Sequence, residues 1–298
     1  MMIDVRALLR ESAVATRLVV AHLAMLPATS VLARDRSVRG ISVLCHGCDV
    51  WGSEFRPRRI IERRLLRGRN VRVTVVSSFT AGAIARVSQA TVLPPGLSGP
   101  WFHTLVDCAA ACQKERRGVK IVTAFRLAAW QEKGLPELMG AVATLDRPDI
   151  QLTVCGTGEP PADLKEAVKS HAWCSLRHGL TDRELAAEFA SADLFVLASR
   201  TRTGRHASGE GFGLVLLEAQ VAGTPVVGPA HGGSHDAYLD RVTGFAPHDE
   251  SAAALAMVLD DLLRKPERLE QMGRRAADWA RESFAPERYA ELVVSRLL

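Results

Sequence analysis

The chain has 298 residues, 47% hydrophobic and 24% charged, which marks a globular protein able to bury one large core or two smaller ones. Few aromatics (5%) beside much Ala, Val and Leu point away from a β-sandwich and toward an α/β protein of two domains. The net charge of +5 is uneven: residues 1–90 hold 15 Arg or Lys against 6 Asp or Glu, and the remainder 23 against 27.

A basic first part fits an anionic membrane surface, an anionic substrate or a nucleic acid. Its densest run is Arg56, Arg58, Arg59, Arg63, Arg64, Arg67, Arg69 and Arg72. No aromatics interleave these arginines as a stacking platform for single strands would require, so no nucleic acid is expected. A solvated helix face is the plain alternative.

Leu18 to Leu26 is too short to span a bilayer and stops at Pro27. With Arg6, Arg10 and Arg17 upstream it faintly resembles a signal peptide, but the same letters fit a buried strand entering a helix. The reading here is a strand over 18–25 and a short helix including 30–33. A buried strand over 41–44 follows, ending in Cys45-His46-Gly47. Then come a helix over 56–68, a strand over 71–76, and a helix over 77–86 capped by Ser77 or Ser78. Pro94-Pro95-Gly96 breaks the chain.

Residues 97–118 read as a connector, with 109–117 compatible with a helix. From Val119 a second series alternates: strands at 119–125, 150–155, 173–177, 193–198 and 226–228, with helices at 135–145, 161–170, 182–190 and 213–222. Such alternation gives a parallel sheet covered on both faces. Helices over 251–264, 266–282 and, after Pro286, 287–297 close the chain.

The six cysteines are scattered rather than arranged as a disulfide framework, which points to a reducing compartment. Cys45 and Cys48 with Cys108 and Cys112 offer four thiolates for zinc, but the second pair lies far off and beside no turn signal.

The chain is organised around Ser208 to Thr224, SGEGFGLVLLEAQVAGT. Glu210 and Glu218 flank Gly211-Phe212-Gly213, a turn that feeds a helix. A glycine turn lets the backbone approach a ligand, and the unpaired N–H groups of the helix start favour an anion, with phosphate the expected guest. At ~1.5 Å rise per residue the two carboxylates stand about 10 Å apart. That is too far for the ~5.5 Å pair of a retaining glycosidase, and it suits two acceptors at opposite ends of one elongated molecule. The plain alternative is a first-turn carboxylate and a solvated face.

Several motifs now agree in order. They are Leu44 to Gly52, Val76 to Thr80, Val92 to Gly96, Phe125-Arg126-Leu127 with Lys133-Gly134, Gly156-Thr157-Gly158, and Gly179 to Asp182. Ala192 to Val196, the Glu210 to Glu218 signature, Gly223 to Val227 and Gly232-Gly233 complete the set. Together they resemble retaining nucleotide-sugar glycosyltransferases of the GT-B class, two Rossmann-like parallel-sheet domains facing a cleft, in the group 1 (family 4 type) with an E-x7-E signature.

The resemblance implies that Arg126 and Lys133 hold the donor diphosphate, with backbone N–H groups near Gly213 and Leu214. It implies that Glu218 accepts the ribose hydroxyls, Glu210 accepts hydroxyls of the transferred sugar, and Leu180 contacts the base. His46, just past a strand end, would meet the transferred sugar near the reaction centre, and Asp49 would orient the acceptor. The implied reaction moves a hexose to a hydroxyl acceptor (glycolipid, polysaccharide or natural product) with retention, no cofactor and no metal.

The chain departs from the family where a Gly-rich loop is usual: residues 1–40 contain one glycine, Gly40. A shortened first domain over 1–113 is therefore expected, then a donor domain over 114–285 and a helix over 286–298 packing back toward the first. The alternative is a donor-binding but catalytically incomplete chain that needs a partner subunit. His235-Asp236 after the glycine pair and the basic loop with Arg200, Arg202, Arg205 and His206 also depart from the family pattern. The expected location is cytoplasmic, with peripheral contact at the inner face of an anionic membrane.

Overall fold

The computed structural model describes residues 16–51, 57–114, 118–202 and 207–297; Arg56, Arg205 and His206 of the basic segments lie outside the described residues, as do the last residues of the helix expected over 109–117. Two compact units emerge. The first comprises residues 1–95, 202–212 and 290–298, and the second 96–201 and 213–289.

In the first unit four short strands, rich in valine, pair in parallel in the order β1 (Thr16–Val20), β2 (Val38–Cys45), β3 (Val71–Val75), β4 (Ala90–Val92). The crossovers carry α1 (Leu26–Leu32), α2 (Cys48–Trp51), α3 (Pro57–Leu66) and α4 (Ser78–Ile84). Ile41, Val43 and Cys45 of β2 are buried among Val20, Leu26, Leu66, Val73 and Ile84. Ser77 caps α4, its hydroxyl accepting from the Thr80 amide.

The strand expected over 18–25 stops at Val20 instead. His22 caps a 3-10 turn over Leu23–Met25, its Nδ1 accepting the Ala24 N–H at 3.0 Å. An imidazole here takes the place of the usual Ser, Thr, Asp or Asn cap, so the letters gave no stop signal.

The second unit holds a six-stranded parallel sheet in the order β10-β9-β8-β5-β6-β7. Its elements are α5 (Gly99–Ala111), β5 (Val119–Arg126), α6 (Leu135–Leu145), β6 (Ile150–Thr157), α7 (Ala162–Lys169), β7 (Cys174–His178), α8 (Asp182–Ser191) and β8 (Leu194–Val196). They continue with α9 (Leu214–Val221), β9 (Val226–Val227), β10 (Gly244–Phe245), α10 (Ala252–Leu263), α11 (Pro266–Phe284) and α12 (Pro286–Leu297), whose residues from 290 onward belong to the first unit.

Ile121, Ile150, Leu152, Val154, Leu194 and Val196 are fully buried beneath Leu135, Leu138, Leu259 and Leu262. Each such side chain contributes roughly 1.5–3 kcal/mol. The chain runs from β5 outward to β7, then returns to the other side of β5 for β8. That reversal makes the carboxyl ends of β5 and β8 a topological switch point, where open α/β sheets bind ligands.

The connector over 97–118 differs most from the sequence reading. It contains α5, a full helix started by Ser98 with Pro100 in its first turn. Its buried Phe102 and Leu105 face inward, and the helix packs on α8 and α9. The entry to α5 is pinned: Gly96 lies so close to the Tyr289 ring that a methyl in its place would come within 2.5 Å.

In the first unit the end of α12 docks on the sheet, where Ser42 Oγ donates to the Leu297 carbonyl at 2.6 Å and Arg296 donates to the Val92 carbonyl at 2.6 Å.

Candidate active site

The switch point of the second unit is built on backbone that only glycine can supply. Arg126 is exposed at the carboxyl end of β5, and a single 3-10 turn (Leu127–Ala129) leads to half-buried Lys133. Gly134 then caps α6 at φ +69, where a methyl would lie 1.9 Å from the Ala198 carbonyl oxygen beyond β8. The contact locks the Lys133 segment to the exit of β8. Gly156 packs similarly, its pro-methyl position 2.3 Å from the Phe125 carbonyl oxygen.

Gly213 begins α9 at φ +79, ψ 56. It lies against Ser234 and Leu197, and its successor Leu214 is 38% exposed. The first N–H groups of α9 therefore open a helix that has no side-chain cap, the arrangement that attracts an anion. Arg126, Lys133 and the Gly213–Leu214 backbone thus all follow the two strands that form the switch point.

Glu218 lies further along α9 and is half-buried. Burial raises its carboxyl above its ordinary value; the nearby Trp101 side chain opposes this, and the Asp182 charge adds to the rise. Asp182 opens α8 two residues after half-buried Leu180. Thr181 and Glu184 fix that helix start by a reciprocal capping box, with Thr181 N–H to Glu184 Oε2 at 2.8 Å and Glu184 N–H to Thr181 Oγ1 at 3.3 Å. Leu180 and Glu218 are thereby drawn to one region of the second unit.

The first unit assembles its own group. His46 is exposed beyond β2, and Asp49 Oδ1 accepts the backbone N–H of both His46 (2.9 Å) and Gly47 (2.8 Å). Asp49 therefore shapes the turn, and its Oδ2 is buried with no hydrogen-bond partner among the described residues. His46 Nε2 lies 2.7 Å from the Ala21 carbonyl. A carbonyl only accepts, so Nε2 carries the proton and Nδ1 of the neutral ring is an acceptor.

Gly211 presses on the same turn: a methyl there would come 2.1 Å from the His46 carbonyl oxygen. The structure thus brings half-buried Glu210, one residue earlier, beside His46.

Arg200 pairs with Glu137 of α6 at 3.2 Å, and Arg202 forms an antiparallel bridge with Ser208. Cys45 is buried in the first core while Cys108 and Cys112 lie on and just after α5, and among the described residues no cluster of potential metal ligands occurs.

Trp101 and Asp182 are the neighbours of Glu218 that the sequence reading missed. Ser98-Gly99-Pro100 was the available signal, a helix start that would have given Trp101 a place.

Residues 114–279 match the model of the family described as glycosyl transferases group 1. The chain is 32% identical over 267 residues to a GDP-mannose-dependent alpha-(1-6)-phosphatidylinositol monomannoside mannosyltransferase of Mycolicibacterium smegmatis, covering 85% of this chain and 68% of that one. It is 36% identical over 195 residues to a D-inositol 3-phosphate glycosyltransferase of an Arthrobacter species, covering 62% and 44%. The chain thus spans between under half and about two thirds of the length of these curated relatives.

Among solved structures, the sucrose-phosphate synthase of Thermosynechococcus elongatus aligns with a TM-score of 0.76 at 21% identity, covering 98% of this chain and 75% of that one. With its two parallel-sheet units and the family match over most of the second, the chain belongs to the glycosyl transferases group 1 and has the GT-B fold.

Proposed function

We propose that the chain transfers a hexosyl group from a nucleotide diphosphate sugar to a hydroxyl of an inositol-bearing acceptor, with retention at the anomeric carbon. The observation that carries this reading is the convergence of Arg126, Lys133 and the uncapped start of α9 at the switch point, with Glu218 on the same helix. GDP-mannose is the favoured donor, because the mannosyltransferase relative matches over most of this chain. Inositol is the feature that the acceptors in both relatives' names share.

In this reading the acceptor oxygen bonds to the anomeric carbon as the bond from that carbon to the phosphate oxygen breaks. The departing phosphate oxygen takes the acceptor proton on the same face, so no protein nucleophile is required. Arg126 and Lys133, a fork and a point charge, with the Gly213 and Leu214 amides, neutralise the charge that grows on the leaving diphosphate. Glu218 accepts ribose hydroxyls, and Leu180 packs on the base. His46 Nδ1 and Glu210 are assigned to hydroxyls of the transferred sugar, and Asp49 holds the turn that presents His46. The charge stabilisation comes from these groups without a divalent metal.

A lipid-borne acceptor is supported by α3. Ile60 and Ile61 are 64% and 54% exposed, next to Arg63 and Arg64 and close to Arg67 and Arg69. Apolar and cationic side chains together suit the surface of an anionic membrane. Among the described residues no helix is long and apolar enough to cross one.

The test is product formation from GDP-mannose or UDP-glucose, with phosphatidylinositol vesicles or soluble inositol phosphate as acceptor, followed by NMR of the new anomeric centre. The expected product retains the donor's configuration, and Lys133→Ala lowers kcat/KM about 100-fold or more. An inverted product, or full turnover by Lys133→Ala, contradicts the mechanism. Equal rates on soluble and vesicle acceptors remove the membrane role.

A further inference from the structure

Beside His46 the first unit holds a second imidazole, His22, which no sequence motif singled out. The two rings stack with their centres 6.0 Å apart and their planes inclined by 24°. Both residues are exposed, and both stand just past the carboxyl ends of neighbouring parallel strands, His22 after β1 and His46 after β2. That end of an open α/β sheet is where ligands bind.

The partners of the two rings assign their protons. His22 Nδ1 accepts the Ala24 N–H at 3.0 Å, so it carries no proton, and the neutral ring holds its proton on Nε2. His46 Nε2 donates to the Ala21 carbonyl at 2.7 Å, which leaves the lone pair on Nδ1. One ring thus has an N–H to give and its neighbour a lone pair to fill. Neither atom has a hydrogen-bond partner among the described residues. A hydroxyl matches such a pair, because it accepts and donates at once. An ionised phosphate oxygen only accepts, so it would satisfy His22 and be repelled by the His46 lone pair.

Capping alone does not account for an imidazole at this position. The 3-10 turn Leu23–Met25 needs one acceptor, which Asn, Asp, Ser or Thr supplies with a shorter side chain. The histidine adds a distal N–H and a face that stacks on His46.

We propose that His22 is a second binding residue for the transferred sugar, its Nε2–H donating to a sugar hydroxyl beside the lone pair that His46 offers. This rests on the reading of His46 as a contact of that sugar. Ala21 and His22 then act together: the carbonyl of one fixes the His46 tautomer, and the ring of the next completes the pairing of donor with acceptor.

The test crosses protein variants with donors that each lack one sugar hydroxyl. It measures kcat/KM for GDP-mannose and its monodeoxy analogues, or for UDP-glucose and its analogues if the wild type uses that donor. The acceptor is whichever of phosphatidylinositol vesicles and soluble inositol phosphate the wild type glycosylates. The proteins are the full chain, His22→Asn, His22→Ala and His46→Ala. Asn keeps the cap through its side-chain oxygen and removes the distal N–H, whereas Ala removes both. On the complete sugar His22→Asn is expected to lower kcat/KM about tenfold with Tm unchanged. On the deoxy donor that lacks the bound hydroxyl it should cost little more, because two changes to one contact are not additive. His22→Ala should show the same pattern with a lower Tm.

Full turnover by His22→Asn overturns the proposal. So does an equal loss on every deoxy donor, or a loss expressed only as a raised KM for the acceptor. Coupling of His46→Ala, but not of His22→Asn, to a sugar hydroxyl removes His22 and leaves the reading of His46 standing. If neither variant couples to any hydroxyl, that reading fails as well. A wild-type chain that transfers from neither donor overturns the proposed function and this proposal together.

Discussion

The two units hold their functional residues by different means. In the second, glycines at Gly134 and Gly156 bring backbone against backbone, so the loop after β5 is fixed to the exit of β8 by main-chain contact. In the first, the turn after β2 is held by side chains: Asp49 grips the His46 and Gly47 amides, and Ala21 receives the His46 ring. Gly211, on a segment inserted between β8 and α9, adds a close backbone contact there. A phosphate site gains from rigid amides aimed at one point, which glycine-built backbone supplies. A sugar site presents side chains, which tolerate adjustment. The first design should therefore fail abruptly when altered, and the second by degrees.

The largest effect is expected at Gly134. Alanine there would need a left-handed φ and would place its methyl 1.9 Å from the Ala198 carbonyl oxygen. A loss of about 3 kcal/mol or more is expected in urea unfolding, together with loss of nucleotide binding. A variant that unfolds like wild type would break the claim that backbone contact fixes this loop.

Gly211→Ala should do less to stability and more to chemistry. Its methyl meets the His46 carbonyl oxygen at 2.1 Å, on a segment of partly exposed residues that can shift aside. A drop in Tm of a few degrees is expected, with kcat falling at least tenfold and nucleotide affinity unchanged. If affinity falls with kcat, the assignment of Glu210 and His46 to the sugar is wrong.

The smallest effect is a pH dependence at Glu218. Burial raises its folded pKa above the ordinary 4.5, so the folded state holds that proton more tightly than the unfolded chain does. Its contribution to stability therefore grows as pH falls through the raised value and is absent above it. Nucleotide affinity should run the other way and weaken as pH falls through that raised value, because a protonated carboxyl accepts the ribose hydroxyls less well. Calorimetry against pH checks this, and parallel changes in stability and affinity would contradict it.

Most of the second sheet was legible because its strands are short apolar runs closed by glycine and its helices are periodic. The signature glycines announced the α9 start for the same reason: Gly213 takes a left-handed φ that few other residues adopt. What stayed hidden depends on neighbours distant in sequence. β10 is two residues long and exists through its pairing with β9. The turn after β1 is capped by a histidine. The meeting of Trp101 with Glu218 depends on the packing of α5 against α9, which no local pattern encodes. Asp49, expected to orient the acceptor, also binds the backbone of its own turn through one oxygen.

The central claim is that the second unit holds a nucleotide diphosphate by its own cations and amides. Calorimetric titration of the wild-type chain with GDP and UDP, each with and without EDTA, tests it most directly. The account predicts binding of GDP in preference to UDP, unchanged by EDTA and weakened about tenfold or more by Lys133→Ala. Binding that EDTA abolishes, or that Lys133→Ala leaves intact, would contradict it.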